Sequence, residues 1–195
     1  SGIPLVGSLY FGIVDKGTQI IEVKPNTGCN ASCMFCSVGE GPAEKTFWKT
    51  DYVIEADYLV DELRKLVEFK GEKVTTYINP HGEPLLYTDI VELVRGMRAM
   101  PLIGDIHMIT NGMLLTPELV DKLVDAGLSC FNISVHSMDA MLSKKILGTS
   151  AYNIDRIKEI ASYIKRSGKA DLFITPVMMQ GVNDAEMEKI IEFCK

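Results

Sequence analysis

The chain has 195 residues, 47% hydrophobic and 24% charged, which is typical of a globular domain large enough to bury a core. Its net charge of −6 argues against non-specific nucleic-acid binding and against electrostatic docking on an anionic membrane. No apolar run approaches the roughly 20 residues of a membrane-spanning helix, and the apolar N-terminus lacks the basic segment of a signal peptide. We therefore expect a cytoplasmic protein.

A short β-hairpin is predicted at the N-terminus. Its two strands, residues 9–14 and 19–23, flank Asp15-Lys16-Gly17-Thr18, where Gly17 can supply the positive φ of a tight turn. We expect residues 1–18 to form this extension and residues 19–195 to form the core domain. Because the sequence stops inside an amphipathic helix, we expect the core domain to be minimal or truncated at its C-terminus.

Short β-branched segments alternate with amphipathic segments along the rest of the chain. The predicted strands are residues 19–25, 73–79, 104–110, 129–135 and 170–177. The predicted helices are residues 56–69, 87–99, 116–126, 138–146, 152–167 and 184–194. This alternation predicts an α/β fold with a parallel sheet, and it leaves open whether the sheet closes into a barrel or stays doubly wound.

Three of the five cysteines, Cys29, Cys33 and Cys36, lie within eight residues directly after the first predicted core strand. An odd number of cysteines with one dense group is unlike the disulfide framework of a secreted domain. Ligand sites of parallel α/β folds lie at the carboxyl ends of strands, and soft thiolates on one loop suit an iron–sulfur centre. Cubane clusters are usually held by four cysteines, so three would leave one iron open to a substrate or cofactor.

Two other interpretations of the cysteines are weaker. A structural zinc site normally has four ligands, whereas this sequence has no second CxxC pair and its three histidines are scattered singly. A thioredoxin-like redox pair at Cys33 and Cys36 is disfavoured by Cys29 and by the surrounding sequence. We expect the isolated Cys130 to be a core residue and Cys194 a helix residue, and neither to be a cluster ligand.

The CxxxCxxC spacing, with the aromatic Phe35 just before the third cysteine, resembles the radical S-adenosylmethionine (SAM) superfamily. After the second core strand, His81-Gly82-Glu83-Pro84 resembles the GGE or GEP motif that lines the site for the amino group of SAM in that family. The resemblance implies cofactor contacts for Phe35, Gly82, Glu83 and Pro84. The alternative for the second motif is a Gly-Pro turn in which Glu83 is merely a first-turn charge.

Further matches follow the third and fourth core strands. Thr110-Asn111-Gly112 resembles a TNG motif of the family and implies that Asn111 lies in the SAM site, although Asn-Gly alone indicates a tight turn. At the fourth strand the resemblance implies a SAM contact for Ser134, with Asn132 behind it. Strand alternation aims His136 to the same side, as a candidate catalytic residue, although a lone histidine is more often structural.

The fifth core strand and the loop after it, residues 174–184, end in Gly181-Val182-Asn183-Asp184. This segment resembles the adenine-contacting strand and helix entry of the family, which implies that Val177 or Met178 packs on the adenine. The alternative is a core strand followed by an Asn or Asp helix cap, and both can hold together.

The resemblance implies a partial (β/α)6-type barrel of parallel strands in which Cys29, Cys33 and Cys36 hold a [4Fe–4S] cluster. The cluster would cleave SAM reductively to a 5′-deoxyadenosyl radical that abstracts hydrogen from a substrate. An electron donor such as flavodoxin or ferredoxin and an oxygen-sensitive centre are implied as well. No sixth core strand is visible, so the barrel is expected to be incomplete.

The sequence does not name the substrate, which could be a small metabolite, a peptide or protein, or RNA. The long segment 37–52 after the cysteines carries Glu40, Glu44, Lys45 and Trp48, which are candidates for shaping substrate entry but are more often simply solvated. The alternative function is a non-catalytic module that binds iron–sulfur and SAM, or a fragment of a larger radical SAM enzyme acting on RNA or protein.

Overall fold

The computed structural model describes residues 4–37 and 52–195. The candidate entrance residues Glu40, Glu44, Lys45 and Trp48 lie outside this part of the chain.

One sheet contains all six strands of the described residues, in the order in which they occur along the chain. They are β1 (Gly12–Asp15), β2 (Ile20–Lys24), β3 (Val74–Ile78), β4 (Ile103–Thr110), β5 (Cys130–Ile133) and β6 (Asp171–Ile174). Strand β1 pairs antiparallel with β2, and every later pair is parallel. This confirms the parallel α/β architecture of a partial barrel, because the described sheet is open between β1 and β6.

Six α-helices connect or follow these strands in the described residues. They are α1 (Ala56–Lys70), α2 (Ile90–Arg98), α3 (Pro117–Ala126), α4 (Ala140–Leu147), α5 (Ile154–Ser167) and α6 (Glu186–Cys194). Predicted boundaries hold where the sequence carries a cap: the hydroxyl of Thr116 accepts a hydrogen bond from Leu119 N at 3.2 Å, and Gly127 ends α3 with φ 109°. Within the described residues, no helix is both long enough and apolar enough to cross a membrane.

The N-terminal hairpin is present, but its first strand begins at Gly12 rather than at residue 9. Gly17 has φ 67° in the turn, as predicted, and its N–H donates to the Asp15 carboxylate at 3.0 Å. On the other side of β1, Ile13 N donates to Leu5 O at 2.7 Å. The hairpin is therefore an edge of the core sheet, with residue 5 packed against it.

Strand β6 is four residues long, whereas the sequence predicts residues 170–177. The ladder with β5 stops after Thr175, whose N–H donates to Ile133 O at 2.9 Å. Pro176 has no N–H to continue it, and Val177 N donates instead to His136 Nδ1 at 3.0 Å. The last part of the predicted strand is therefore a loop that turns over the end of β5.

Helices cover one face of the sheet, and the core lies between them and the strands. Ile21, Ile78, Met108 and Phe131 point from successive strands into this core and are fully buried. The opposite face carries half-buried polar and aromatic side chains, among them Tyr77, whose ring lies 4.6 Å from that of His107. Alternation along each strand thus separates a packed face from an open face.

We expect Leu63→Ala to lower the free energy of unfolding by about 2–5 kcal/mol, because this α1 side chain is completely buried and the change leaves a cavity. Phe69→Ala on the same helix is the matched control, since Phe69 is 89% exposed, and should change stability by no more than about 0.5 kcal/mol. Chemical denaturation of both variants measures the difference. Equal losses would contradict the placement of the core.

Candidate cofactor site

A cavity of about 440 Å³ opens at the carboxyl ends of the parallel strands. Its wall contains ten of the twelve residues singled out from the sequence: Cys29, Cys33, Phe35, Cys36, Gly82, Glu83, Asn111, Ser134, His136 and Val177. The other two, Pro84 and Met178, do not line it. Pro84 begins a short 3₁₀ turn, Pro84–Leu86, and Met178 is 65% exposed. Asn132 also lies off the wall, with Oδ1 3.3 Å from His107 Nδ1.

The cysteine loop, residues 28–36, carries three half-buried cysteines. It turns at Cys33, whose carbonyl accepts from Cys36 N at 3.0 Å. Burial, together with the neighbouring Cys29 and Cys36, raises the pKa of the Cys33 thiol to about 12. The other two cysteines lie elsewhere, as predicted: Cys130 is buried in β5 and Cys194 is the last residue of α6.

The end of α4 holds the middle of the cysteine loop. Ser32 N donates to Leu147 O and Met34 N to Ile146 O, each at 2.9 Å. Such carbonyls are available because the last four C=O groups of a helix lack intrahelical partners. Sequence reasoning missed this contact: Gly148 indicates where α4 ends, but no local pattern says what binds there.

Gly148 allows this close approach. It has φ 62°, and a Cβ at this position would lie 2.0 Å from Ser32 O. Any side chain would therefore push the cysteine loop away from α4, in addition to straining the left-handed backbone.

Gly82 is the corresponding contact on the other side of the loop. A Cβ on Gly82 would lie 2.0 Å from Gly28 O, and Glu83 N donates to that same carbonyl at 2.8 Å. Asn26, just before the loop, donates through Nδ2 to Glu83 O at 3.1 Å. The backbone that crowds Gly82 is therefore that of the cysteine loop.

The Glu83 carboxylate joins the ends of β3 and β4. It accepts hydrogen bonds from Asn111 N at 2.8 Å, from Leu85 N at 3.1 Å and from the Thr110 hydroxyl. Burial raises the pKa of Glu83 to about 7, while these hydrogen bonds oppose the rise. Glu83 also caps the 3₁₀ turn by accepting from Leu85 N, so the motif does form a turn, but Glu83 is its capping residue rather than a charge in its first turn.

Asn111 links β4 to the cysteine loop. Its Nδ2 donates to Asn30 Oδ1 at 2.7 Å, and its Oδ1 accepts from Met113 N at 2.9 Å. Asn30 is 4% exposed and was not singled out from the sequence, where it is only a polar residue between two cysteines.

His136 is held in one orientation. Its Nδ1 accepts from Val177 N at 3.0 Å, its carbonyl accepts from Asn183 Nδ2 at 2.7 Å, and its ring packs edge-on against Phe35 with centroids 4.5 Å apart. Burial lowers the pKa of His136 to about 4. The imidazole is therefore neutral near pH 7, with its proton on Nε2.

Buried side-chain polar atoms without a hydrogen-bond partner occur three times in the described residues: Asn26 Oδ1, His136 Nε2 and Tyr152 Oη. Asn26 Nδ2 donates a hydrogen bond to Gly28 O, and the His136 ring packs on Phe35. Burial is the main cause that raises the pKa of Tyr152, and the neighbouring Cys33 raises it further. All three thus adjoin the cysteine loop. Such atoms are rare in native proteins, and of these three residues only His136 is also part of the cavity wall.

The donor set fits an iron–sulfur cluster. No three His, Cys, Asp or Glu side chains of residues 4–37 and 52–195 are close enough together to hold a single metal ion. The thiols of Cys29, Cys33 and Cys36 instead stand around one cavity, which suits a polynuclear centre held by soft thiolates.

The turn between β5 and α4 is held by a buried carboxylate. Glu186 Oε2 accepts from Ser137 Oγ at 2.8 Å, Met138 N at 2.7 Å and Asp139 N at 3.0 Å, while Oε1 pairs with Lys189 Nζ at 2.6 Å. Burial alone would raise the pKa of Glu186, but Lys189, Ser137 and the two backbone N–H groups lower it to about 2.

Residues 23–194 match the family model of the radical SAM superfamily, so the chain belongs to that superfamily, a family of enzymes. It is 39% identical over 194 residues to an uncharacterized protein of Methanocaldococcus jannaschii, covering 98% of this chain and 44% of that protein. It is 34% identical over 178 residues to the GTP 3′,8-cyclase of Listeria monocytogenes, covering 90% of this chain and 50% of the enzyme. The chain thus spans about half the length of these relatives.

Solved structures share the fold. SuiB of Streptococcus suis, bound to its precursor peptide SuiA, superposes with a TM-score of 0.72 at 20% identity, over 90% of this chain and 36% of SuiB. SuiB bound to S-adenosylmethionine superposes with a TM-score of 0.70 at 21% identity, over 90% and 37% of the two chains.

We expect Gly148→Ala to speed the reaction of the Cys33 thiol with a maleimide, because the new Cβ displaces the cysteine loop and relieves the burial that keeps this thiol protonated. Mass spectrometry of labelled peptides measures the rate. Gly168→Ala is the matched control: Gly168 has φ 63° and a Cβ there would meet nothing within 4 Å, so this variant reports left-handed strain alone, about 1–2 kcal/mol. Identical labelling in the two variants would refute the contact.

We expect the stability difference between the wild-type protein and Glu186→Gln to depend on pH. The folded-state pKa of Glu186 lies below its unfolded value, so the carboxylate stabilises the fold above about pH 4.5, and this contribution is lost as the pH falls towards 2. Denaturant unfolding of the cofactor-free protein at pH 7, 5 and 3.5 measures the difference, which should shrink with acidification. A difference that grows would contradict the assignment.

Proposed function

We propose that this chain is the [4Fe–4S]- and SAM-binding core of a radical SAM enzyme. The observation that carries the proposal is that residues from five separate strand ends, singled out by family motifs, share the wall of one cavity. The unpartnered Nε2 of His136, a residue of that wall, supports a bound group at that place.

Cys29, Cys33 and Cys36 would hold three irons of the cluster, leaving the fourth for SAM. The chemistry that a cluster held there would supply is the one-electron reductive cleavage of SAM to a 5′-deoxyadenosyl radical, which would abstract hydrogen from the substrate. A flavodoxin or ferredoxin is the expected electron donor. The protein's own contribution is binding, orientation and exclusion of side reactions.

The side chains of the cavity have distinct tasks in this proposal. Glu83 keeps the ends of β3 and β4 in register, so that the backbone at Gly82 and Asn111 presents a fixed surface to SAM. Ser134 offers a hydroxyl, and Val177 an apolar surface for the adenine. His136 is suited to holding the wall rather than to exchanging protons near pH 7, because its Nδ1 is engaged and burial lowers its pKa.

GTP is the first candidate substrate to test, because relatives at 34% identity are named GTP 3′,8-cyclases. The likeness to peptide-bound SuiB concerns the fold, and so carries no argument for a peptide substrate.

We expect Cys33→Ala to abolish formation of 5′-deoxyadenosine from SAM. Anaerobic reconstitution with iron and sulfide, followed by dithionite and mass spectrometry of the products, measures it. Cys194→Ala is the control, since this exposed cysteine lies on α6 away from the cavity, and it should leave the yield unchanged. Full activity of Cys33→Ala would overturn the proposal, and a loaded cluster that leaves SAM intact would favour the non-catalytic module.

A further inference from the structure

One turn of the chain, residues 136–139, contacts the cysteine loop directly and also begins α4, the helix whose far end holds that loop. At its start, the His136 ring packs against Phe35 with centroids 4.5 Å apart. At its end, Asp139 caps α4 by accepting from Leu142 N at 2.7 Å, and the far end of α4 accepts the amides of Ser32 and Met34. The position of this turn therefore sets the position of the loop at two points.

The turn is itself held from the start of α6. Asn183 donates to His136 O at 2.7 Å and to Val177 O at 2.9 Å, so it fixes the beginning of the turn. Glu186 accepts from Ser137 Oγ and from the backbone N–H groups of Met138 and Asp139, so it fixes the rest. Glu186 is 4% exposed, and a single oxygen, Oε2, receives all three of these hydrogen bonds.

We propose that Glu186 is a positioning residue for the iron–sulfur cluster, acting through the 136–139 turn and α4 on the cysteine loop. The inference rests on the proposed function, because it takes the loop to be the cluster ligand. The cysteine loop is far from Glu186 in sequence, and the residues that bond to the carboxylate lie outside the cavity wall. Its effect on the cluster must therefore pass through the 136–139 turn. From there it reaches the loop through the hydrogen bonds of α4 to Ser32 and Met34 and through the contact of the His136 ring with Phe35.

A merely structural role and a positioning role differ in what they change. Loss of a structural residue lowers stability and leaves a folded chain able to take up its cluster. Loss of a positioning residue leaves a folded chain whose cysteine loop is misplaced. Outer partners of metal ligands typically change metal affinity about 10- to 100-fold when they are removed.

The experiment compares wild type, Glu186→Ala, Glu186→Gln and Leu63→Ala after anaerobic reconstitution. Iron and labile sulfide per folded chain, and the rate of iron loss to a chelator, are measured with circular dichroism as the check on folding. We expect Glu186→Ala to hold its iron about tenfold less tightly. Glu186→Gln should retain it, because the amide oxygen can still accept the three hydrogen bonds, and Leu63→Ala should retain it despite lower stability.

Hydrogen exchange of the Ser32 and Met34 amides in the cofactor-free proteins provides a second measurement that needs no cluster. Protection should fall in Glu186→Ala but not in Glu186→Gln. Normal iron retention and normal protection in Glu186→Ala would overturn the inference, as would equal iron loss in Leu63→Ala. A wild-type protein that takes up no cluster but shows the exchange difference would refute the proposed function and leave the mechanical link standing. If Glu186→Ala does not fold, Ser137→Ala, which removes one of the three donors, takes its place with the same expected direction.

Discussion

The site depends on the close packing of the cysteine loop between two backbone segments that leave no room for a Cβ. Gly82 approaches the carbonyl of Gly28 from the end of β3, and Gly148 approaches the carbonyl of Ser32 from the end of α4. In each case hydrogen bonds form next to the contact, from Glu83 N on one side and from Ser32 N on the other. A loop held in this way presents its three thiols to one cavity without an additional element of secondary structure.

This packing works only if the flanking segments are themselves fixed, and buried carboxylates perform that task on both sides. Glu83 joins β3 to β4 by accepting from backbone and hydroxyl donors, and Glu186 does the same for the turn before α4. Their environments differ, since burial leaves the pKa of Glu83 raised, whereas Lys189 and the N–H donors lower that of Glu186. A buried carboxylate whose oxygens are hydrogen-bonded favours one arrangement of the surrounding backbone, because any other arrangement would leave it buried without hydrogen-bond partners.

Much of the site could be predicted because its residues are tied to strand ends. Cys29, Gly82 and Asn111 follow segments whose β-branched pattern is visible, and Ser134 and Val177 lie at the ends of such segments. Parallel strands bring their carboxyl ends together. Met178 and Pro84 fall outside the wall because their placement depends on how the chain turns after the strand. For β6 that turn begins at Pro176, where the missing N–H ends the ladder earlier than the apolar pattern indicates.

The sequence by itself determined the fold class, the family and the three candidate ligands, because period-two and helical patterns, capping residues and cysteine spacing are local properties. Only the tertiary structure decided which further residues support the cysteine loop and the turn beside it, namely Gly148, Asn30, Asn183 and Glu186. Each of these acts on a partner about 45 to 120 residues away in the chain, through a hydrogen bond or a close backbone contact. Such contacts leave no periodic trace in a sequence, since they are set by how helices and strand ends meet once the core has packed.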